Sequence, residues 1–307
     1  MNTNEIKKET KDLYDGYFAS VNRECQYDDR FEQLINKQEN QAKRDVIGYL
    51  QPWVQILEES IQWLANLTAI FDRLISDKAV SNAHRTAWSL IGASCLHSVA
   101  IRRLVLSGLD FSAKAILRSL DEHLTACVVL LHDRDMAEMF QTAQDADDAN
   151  RLWYEKLRTK NLTKRLNQIE RDLGFDQEAS REMREWRQEE IKIQSQSLHP
   201  TYLSSALGVN PICASDQERW KSSILGGASA LSERTLNYAC KAIWYFSRIG
   251  FLFLFNEYNG KPPYIKLRRD DEMHQMVVIG RDVLSTLNLK YWDYECYPGK
   301  GDELTAG

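Results

Sequence analysis

Apolar positions recur at helical spacing along most of the chain. Trp53, Ile56, Leu57, Ile61, Leu64, Leu67 and Phe71 fall three or four apart, which predicts one buried stripe on a helix of about 52–76. Pro52 suits its first turn, where a backbone N–H has no helical acceptor in any case. Ser81 and Asn82 predict the cap of a second helix, about 83–107, ended near Gly108; a third is predicted over roughly 111–131. Further helices are predicted over about 151–171, closed by Gly174, and over about 176–198, halted because Pro200 disfavours the α region at the residue before it. Gly226-Gly227 separates a short helix from an apolar one ending near 258, and Asp270-Asp271 opens a last helix to about 287. Residues 1–20 and 28–48 read as two polar helices, with Tyr, Phe and Leu loosely spaced along one side. The segment 199–214, HPTYLSSALGVNPICA, is the one long loop, and the closing GKGDELTAG is expected to be disordered.

Composition supports this pattern. Only 14 Gly and 6 Pro occur in 307 residues, too few turn formers for an all-β chain of this length. The expected fold class is all-α: a multi-helix bundle over 49–290, an N-terminal helical extension over 1–48, and a largely disordered C-terminal tail over 291–307. The most apolar stretch, AIWYFSRIGFLFLFNEY (242–258), is broken by Arg248, whereas a membrane span takes about 20 apolar residues in a row. It reads as a central core helix, and no membrane association is expected. The polar N-terminus lacks the apolar segment of a secretory signal, and the six Cys show no CxxC pairing, so a reducing cytoplasm is the expected compartment.

A net charge of −5 argues against a protein built to coat nucleic acid, but charge is unevenly placed. Residues 133–148 are acidic, while 151–171 hold Arg151, Lys156, Arg158, Lys160, Lys164 and Arg165 beside Trp153 and Tyr154. Cations that neutralise phosphates next to rings that stack on bases are the elements of single-strand recognition, so this stretch is the candidate RNA-binding surface. Alternatively, the acidic and basic patches pair between subunits, making a homo-oligomer.

The stretch 117–132, LRSLDEHLTACVVLLH, sets Arg118, Glu122 and His123 into an otherwise core-like helix. Arg118 and Glu122 stand one turn apart and can pair, and His123 points about 140° from Arg118 at 100° per residue. Burying such charges is costly unless they are paired. Either they hold helices in register or they line a polar cleft, where a histidine can move a proton near neutral pH and an arginine can steady a phosphate.

Arg118-Ser-Leu-Asp-Glu-His123 is an Arg-x4-His spacing and resembles the signature of HEPN-type ribonucleases. That resemblance implies a HEPN-like helical domain that dimerises and cuts RNA without a metal, with Arg118 and His123 as catalytic groups. The same spacing recurs at Arg269 and His274, the alternative catalytic pair. A second resemblance covers more of the chain. Residues 88–131 followed by QSQSLHPTY (194–202) are similar to an uncharacterised bacterial all-helical family, in which an Arg-x3-Glu helix and a later Ser-rich stretch ending in His-Pro recur. If the two segments meet, Arg118, Glu122 and His199 form one site, with His199 as acid or base.

No cofactor is expected. The chain has no Glu-x-x-His metal spacing and no Gly-rich phosphate loop, and DADD (145–148) reads as a solvated acidic patch. The sequence therefore supports two functional expectations. One is an intracellular bacterial defence- or toxin-type protein, a candidate metal-independent RNA-cleaving effector, with RNA and a protein encoded alongside it as partners. The other is a non-catalytic helical interaction protein whose polar core residues are structural.

Overall fold

Leu50 marks the bend in the longest helix. The computed structural model describes residues 3–24, 31–76, 80–143, 145–196, 227–228 and 230–293. Helix α1 covers Thr3–Ser20, and α2 runs from Phe31 to Ser76 with Leu50 at φ −114, ψ 18, two residues before Pro52. Proline lacks the N–H that would continue the helical ladder, and its ring crowds the carbonyl four residues back, so the helix kinks here. The two helices expected either side of residue 50 are thus arms of one bent helix. Ala42 and Val46 are already buried, so the main body begins before residue 49.

Helix α3 (Asn82–Leu106) and α4 (Asp110–His132) form a tight hairpin. Gly108 takes φ 74, and the Leu109 and Gly108 amides return to the carbonyls of Leu104 and Val105, which satisfies the end of α3. Asp133 caps α5 (Arg134–Thr142) through the Met136 amide, and Asp145 caps α6 (Ala146–Leu152) through the Asp148 amide. The acidic stretch is therefore partly helical, and Met136 and Ala137 join the core. A π-helical turn, Trp153–Leu157, leads into α7 (Thr159–Asp172); α8 covers Gln177–Gln196, α9 Ala230–Phe255 and α10 Glu272–Lys290.

The sequence expectation of an all-α bundle holds: no strand occurs among the described residues beyond one isolated bridge, Tyr258 with Lys261. Helix α4 is central and packs against α3, α5, α7, α8 and α9, while α2 packs against α3, α9 and α10. Trp53, Trp63, Phe71, Tyr238 and Phe246 fill the interior. The Trp63 indole donates to the Val277 carbonyl at 2.9 Å, tying α2 to α10. Helix α9 is buried nearly all round, as its apolar sequence requires, with Arg248 exposed. Among the described residues, α3 is the helix long and apolar enough to cross a membrane, although its sequence is less continuously apolar to the eye than α9. The 199–214 loop and the short helix before Gly226 lie outside the described residues. Trp292, placed in the tail by the sequence, packs against Trp186 and Trp244.

Candidate functional site

The polar residues of α4 divide between two faces. Asp110, Lys114 and Asp121 share one side, at spacings of four and seven, and are buried. Facing them, α8 supplies Arg187, Glu190 and Gln194, also buried. Ser232 and Tyr238 of α9 complete the set: Ser232 donates to Asp110 at 2.5 Å, and the Tyr238 hydroxyl donates to Asp121 at 2.9 Å. Arg234 donates to Glu190 at 2.5 Å, Tyr245 donates to Glu170, and the Arg187 guanidinium lies 4.3 Å from the centre of the Tyr245 ring. Burial pushes the Asp121 and Glu190 carboxyls up and the Lys114 ammonium down from their usual ranges. Such charges are tolerated only because opposite charges and hydroxyls surround them. The Lys114 ammonium and both amide atoms of Gln194 find no hydrogen-bond partner among the described residues.

Arg118 and Glu122 lie on the flank of this network, not inside it. Their side chains are 27% and 30% exposed and pair at 3.2 Å. Arg118 also donates to the Ser195 hydroxyl at 3.1 Å, and Thr159 donates to the same Glu122 oxygen at 3.1 Å. Ser195 in turn donates back to the Ile191 carbonyl at 2.7 Å, which fixes its lone pairs towards Arg118. Four polar groups from α4, α7 and α8 thus converge at the last turn of α8. The two sequence segments singled out above do meet, through Arg118 and Ser195. His199 lies outside the described residues.

His123 is not brought to this cluster. Its Nδ1–H donates to the Ser119 carbonyl at 2.7 Å, and its ring packs edge-on against His97, with centroids 4.9 Å apart. That is a different face of α4, about 140° from Arg118 at 100° per residue. The second Arg-x4-His pair is also apart in role. His274 is buried and its Nδ1 accepts from the Arg268 amide at 3.1 Å, while the Arg269 carbonyl accepts from Gln275. Burial holds the His274 ring below its usual pKa, so it braces the entry to α10 as a neutral acceptor.

The basic stretch is joined to the Arg118 cluster through Thr159. The π turn presents Trp153 and Tyr154 to solvent, with ring centroids 5.0 Å apart. A turn of this type widens the helix by one residue and recurs at functional sites. Arg158, Lys160 and Lys164 are exposed, and Lys156 is half-buried. Arg151 and Arg165 are engaged elsewhere, with Asp148 at 2.5 Å and Asp133 at 3.1 Å. Acidic and basic patches therefore pair in part within one chain. Thr159 sits between Arg158 and Lys160, so its bond to Glu122 joins the stretch to the cluster.

Among the described residues, no group of three or more His, Cys, Asp and Glu side chains could hold a metal ion. Burial raises the thiols of Cys95, Cys127 and Cys240, which makes them poor nucleophiles. The sequence reading missed the buried network of Lys114, Asp121, Arg187, Glu190 and Gln194. Its one trace is that α8 carries few apolar residues, a pattern that a solvated helix shares. Comparison with known protein families, curated proteins and solved structures gives no match for this chain.

Proposed function

We propose that this protein is a helical RNA-engaging effector of the intracellular defence or toxin type, and that it cleaves RNA without a metal. A single strand would lie on the Trp153–Tyr154 rim, with Arg118 facing a phosphate. The observation that carries this reading is the Thr159–Glu122–Arg118 chain of bonds, which ties a partly exposed guanidinium to the stretch bearing the exposed Trp153 and Tyr154 rings and the exposed Arg158, Lys160 and Lys164. Rings of this kind contribute about 1–3 kcal/mol per stacked base, and the cations add a salt-dependent term. Arg118 fits the task of steadying phosphate charge. His123 faces away, so the proton-transfer role falls to His199, three residues beyond the end of α8.

The test is fluorescence anisotropy with labelled single-stranded RNA, followed by cleavage in the presence of a chelator. Replacing Trp153 and Tyr154 by Ala should weaken binding about tenfold or more, consistent with that stacking term. Arg118→Ala and His199→Ala should abolish cleavage while the chain stays folded, with at most a small loss of stability for Arg118→Ala. A wild-type chain that fails to bind RNA even at low salt would overturn the reading. The second reading, a non-catalytic interaction protein, draws support from the middle of α3, where Thr86 to Ile101 holds no Asp, Glu, Lys or Arg and Leu96 is exposed.

A further inference from the structure

Helix α8 buries four residues, Ser180, Arg187, Glu190 and Gln194, and all four are polar. Its neighbour α7 buries Leu162, Leu166 and Ile169. The apolar residues of α8 that reach the core, Met183 and Trp186, are only partly buried. Trp186 stacks on Tyr238 with ring centroids 4.7 Å apart and is the main apolar hold on the helix. Among the described residues, Arg187 Nε, Glu190 Oε2 and both amide atoms of Gln194 have no hydrogen-bond partner. The same is true of Lys114 Nζ on α4, which lies within electrostatic reach of Glu190, Arg234 and Asp110. Separating α8 from α4 and α9 returns these groups to water, where each finds partners. Buried ion pairs gain little over solvated ones, whereas buried apolar area is lost outright on opening. Helix α8 therefore has less to lose by separating than α7 or α9.

The two ends of α8 permit such a movement. Gly174 takes φ 71, and the Gly174 and Phe175 amides return to the carbonyls of Arg171 and Glu170, so α7 is closed without help from α8. Asp176 accepts from the Glu178 and Ala179 amides at 3.0 and 2.9 Å, so α8 carries its own cap. At the far end Ser195 accepts from Arg118 at 3.1 Å. We propose that α8 is a strap that undocks as a unit from α4 and α9, turning about residues 173–176, and so regulates Arg118. Docked, α8 holds one guanidinium nitrogen of Arg118 on Ser195. Undocked, it frees that nitrogen for a phosphate. This consequence rests on the RNA reading above; the undocking does not.

Native-state hydrogen exchange of the RNA-free chain, read by mass spectrometry, tests the undocking. Amides in the middle of α8 should exchange through an opening at least about tenfold more populated than the one that exposes α9. That opening should also depend less on urea, because it uncovers less surface. Gln194→Met keeps the side-chain volume and removes two buried polar atoms without partners, so it should slow α8 exchange. Trp186→Ala should speed it. Gly280→Ala strains the Trp63 packing in the docked and undocked states alike, so it should speed α9 exchange and leave α8 exchange as it was. An α8 that exchanges only together with α9, or that responds to Gly280→Ala as α9 does, would overturn the strap. An α8 rate not slowed by Gln194→Met would overturn the polar seam as its cause. Saturating single-stranded RNA should speed α8 exchange, and an equal or slower rate in the bound chain would overturn the link to Arg118. A chain that binds no RNA would overturn the RNA reading and leave the undocking standing.

Discussion

The Arg118 guanidinium donates to the Ser195 hydroxyl across 3.1 Å, although 77 residues separate them along the chain. This bond joins the middle of α4 to the last turn of α8 and marks where the partly exposed polar cluster meets the buried network. The two neighbouring sets of charges differ in how far water reaches them. Their responses to mutation should differ accordingly.

Arg118→Ala removes a pair that is about a third exposed, and ion pairs of that kind contribute about 0–1 kcal/mol. Asp121→Ala removes the acceptor of the Tyr238 hydroxyl and a carboxylate facing buried Arg187. Leaving such a group unpaired costs about 3–5 kcal/mol. Urea denaturation should therefore show a small loss for Arg118→Ala and a several-fold larger one for Asp121→Ala. Asp121→Asn, which keeps an acceptor for Tyr238, should fall between them. Equal losses for Arg118→Ala and Asp121→Ala would place Arg118 in the structural network and remove the basis for treating it as a working group.

The same substitution at two helical glycines should have opposite signs. Alanine gains about 1 kcal/mol over glycine inside a helix. At Gly92 the new Cβ would meet only Thr68 at 3.7 Å, so Gly92→Ala should raise the melting temperature. At Gly280 it would come 3.0 Å from Trp63 Cδ1. Trp63 is fully buried, donates to the Val277 carbonyl and packs edge-on against Phe246, so it has little room to yield. Gly280→Ala should lower the melting temperature. Differential scanning calorimetry of the two variants decides the matter.

Helical periodicity located most of the elements, because it reports which side of each segment is apolar. It also gave the direction of His123, since the angle between two side chains on one helix follows from their spacing. It could not tell a polar face that is buried from one that is solvated. Arg187, Glu190 and Gln194 repeat at intervals of three and four, just as an exposed face would, and only the opposing Lys114, Asp121 and Tyr238 reveal that they lie inside. The sequence places separate helices over 28–48 and about 52–76, because Pro52 suits a first helical turn. The burial of Val46 and Trp53 on a common core carries α2 through the kink. The sequence reading joined the two segments only conditionally and through His199, whereas the structure joins them through Ser195, and the Thr159–Glu122 contact had no forerunner. Hydroxyls at a helix start leave no periodic trace.

Lys241 provides a pH test of the packing between α9 and the chain beyond α10. Its ammonium donates to the Trp292 carbonyl at 2.9 Å and lies 4.1 Å from the centre of the Trp292 ring, with Trp186 and Trp53 farther out at 5.6 and 5.9 Å. Burial is the main cause of its lowered pKa, which falls to about 8 from 10.5; nearby Asp293 and Glu190 oppose the shift. Between those two values the unfolded chain holds a proton that the folded chain has released. Stability contributed at this site therefore rises with pH across that window, and the cost of the buried charge is fully present below about pH 8. Lys241→Met removes the titration while keeping much of the side-chain volume. The free-energy difference between wild type and Lys241→Met, measured by urea denaturation from about pH 7 to about pH 10, should move steadily in favour of the wild type. Other ionisations common to both proteins cancel in that difference. A flat difference would mean that the Trp292 carbonyl and the surrounding rings hold the ammonium as well as water does; a trend in the opposite direction would mean they hold it better.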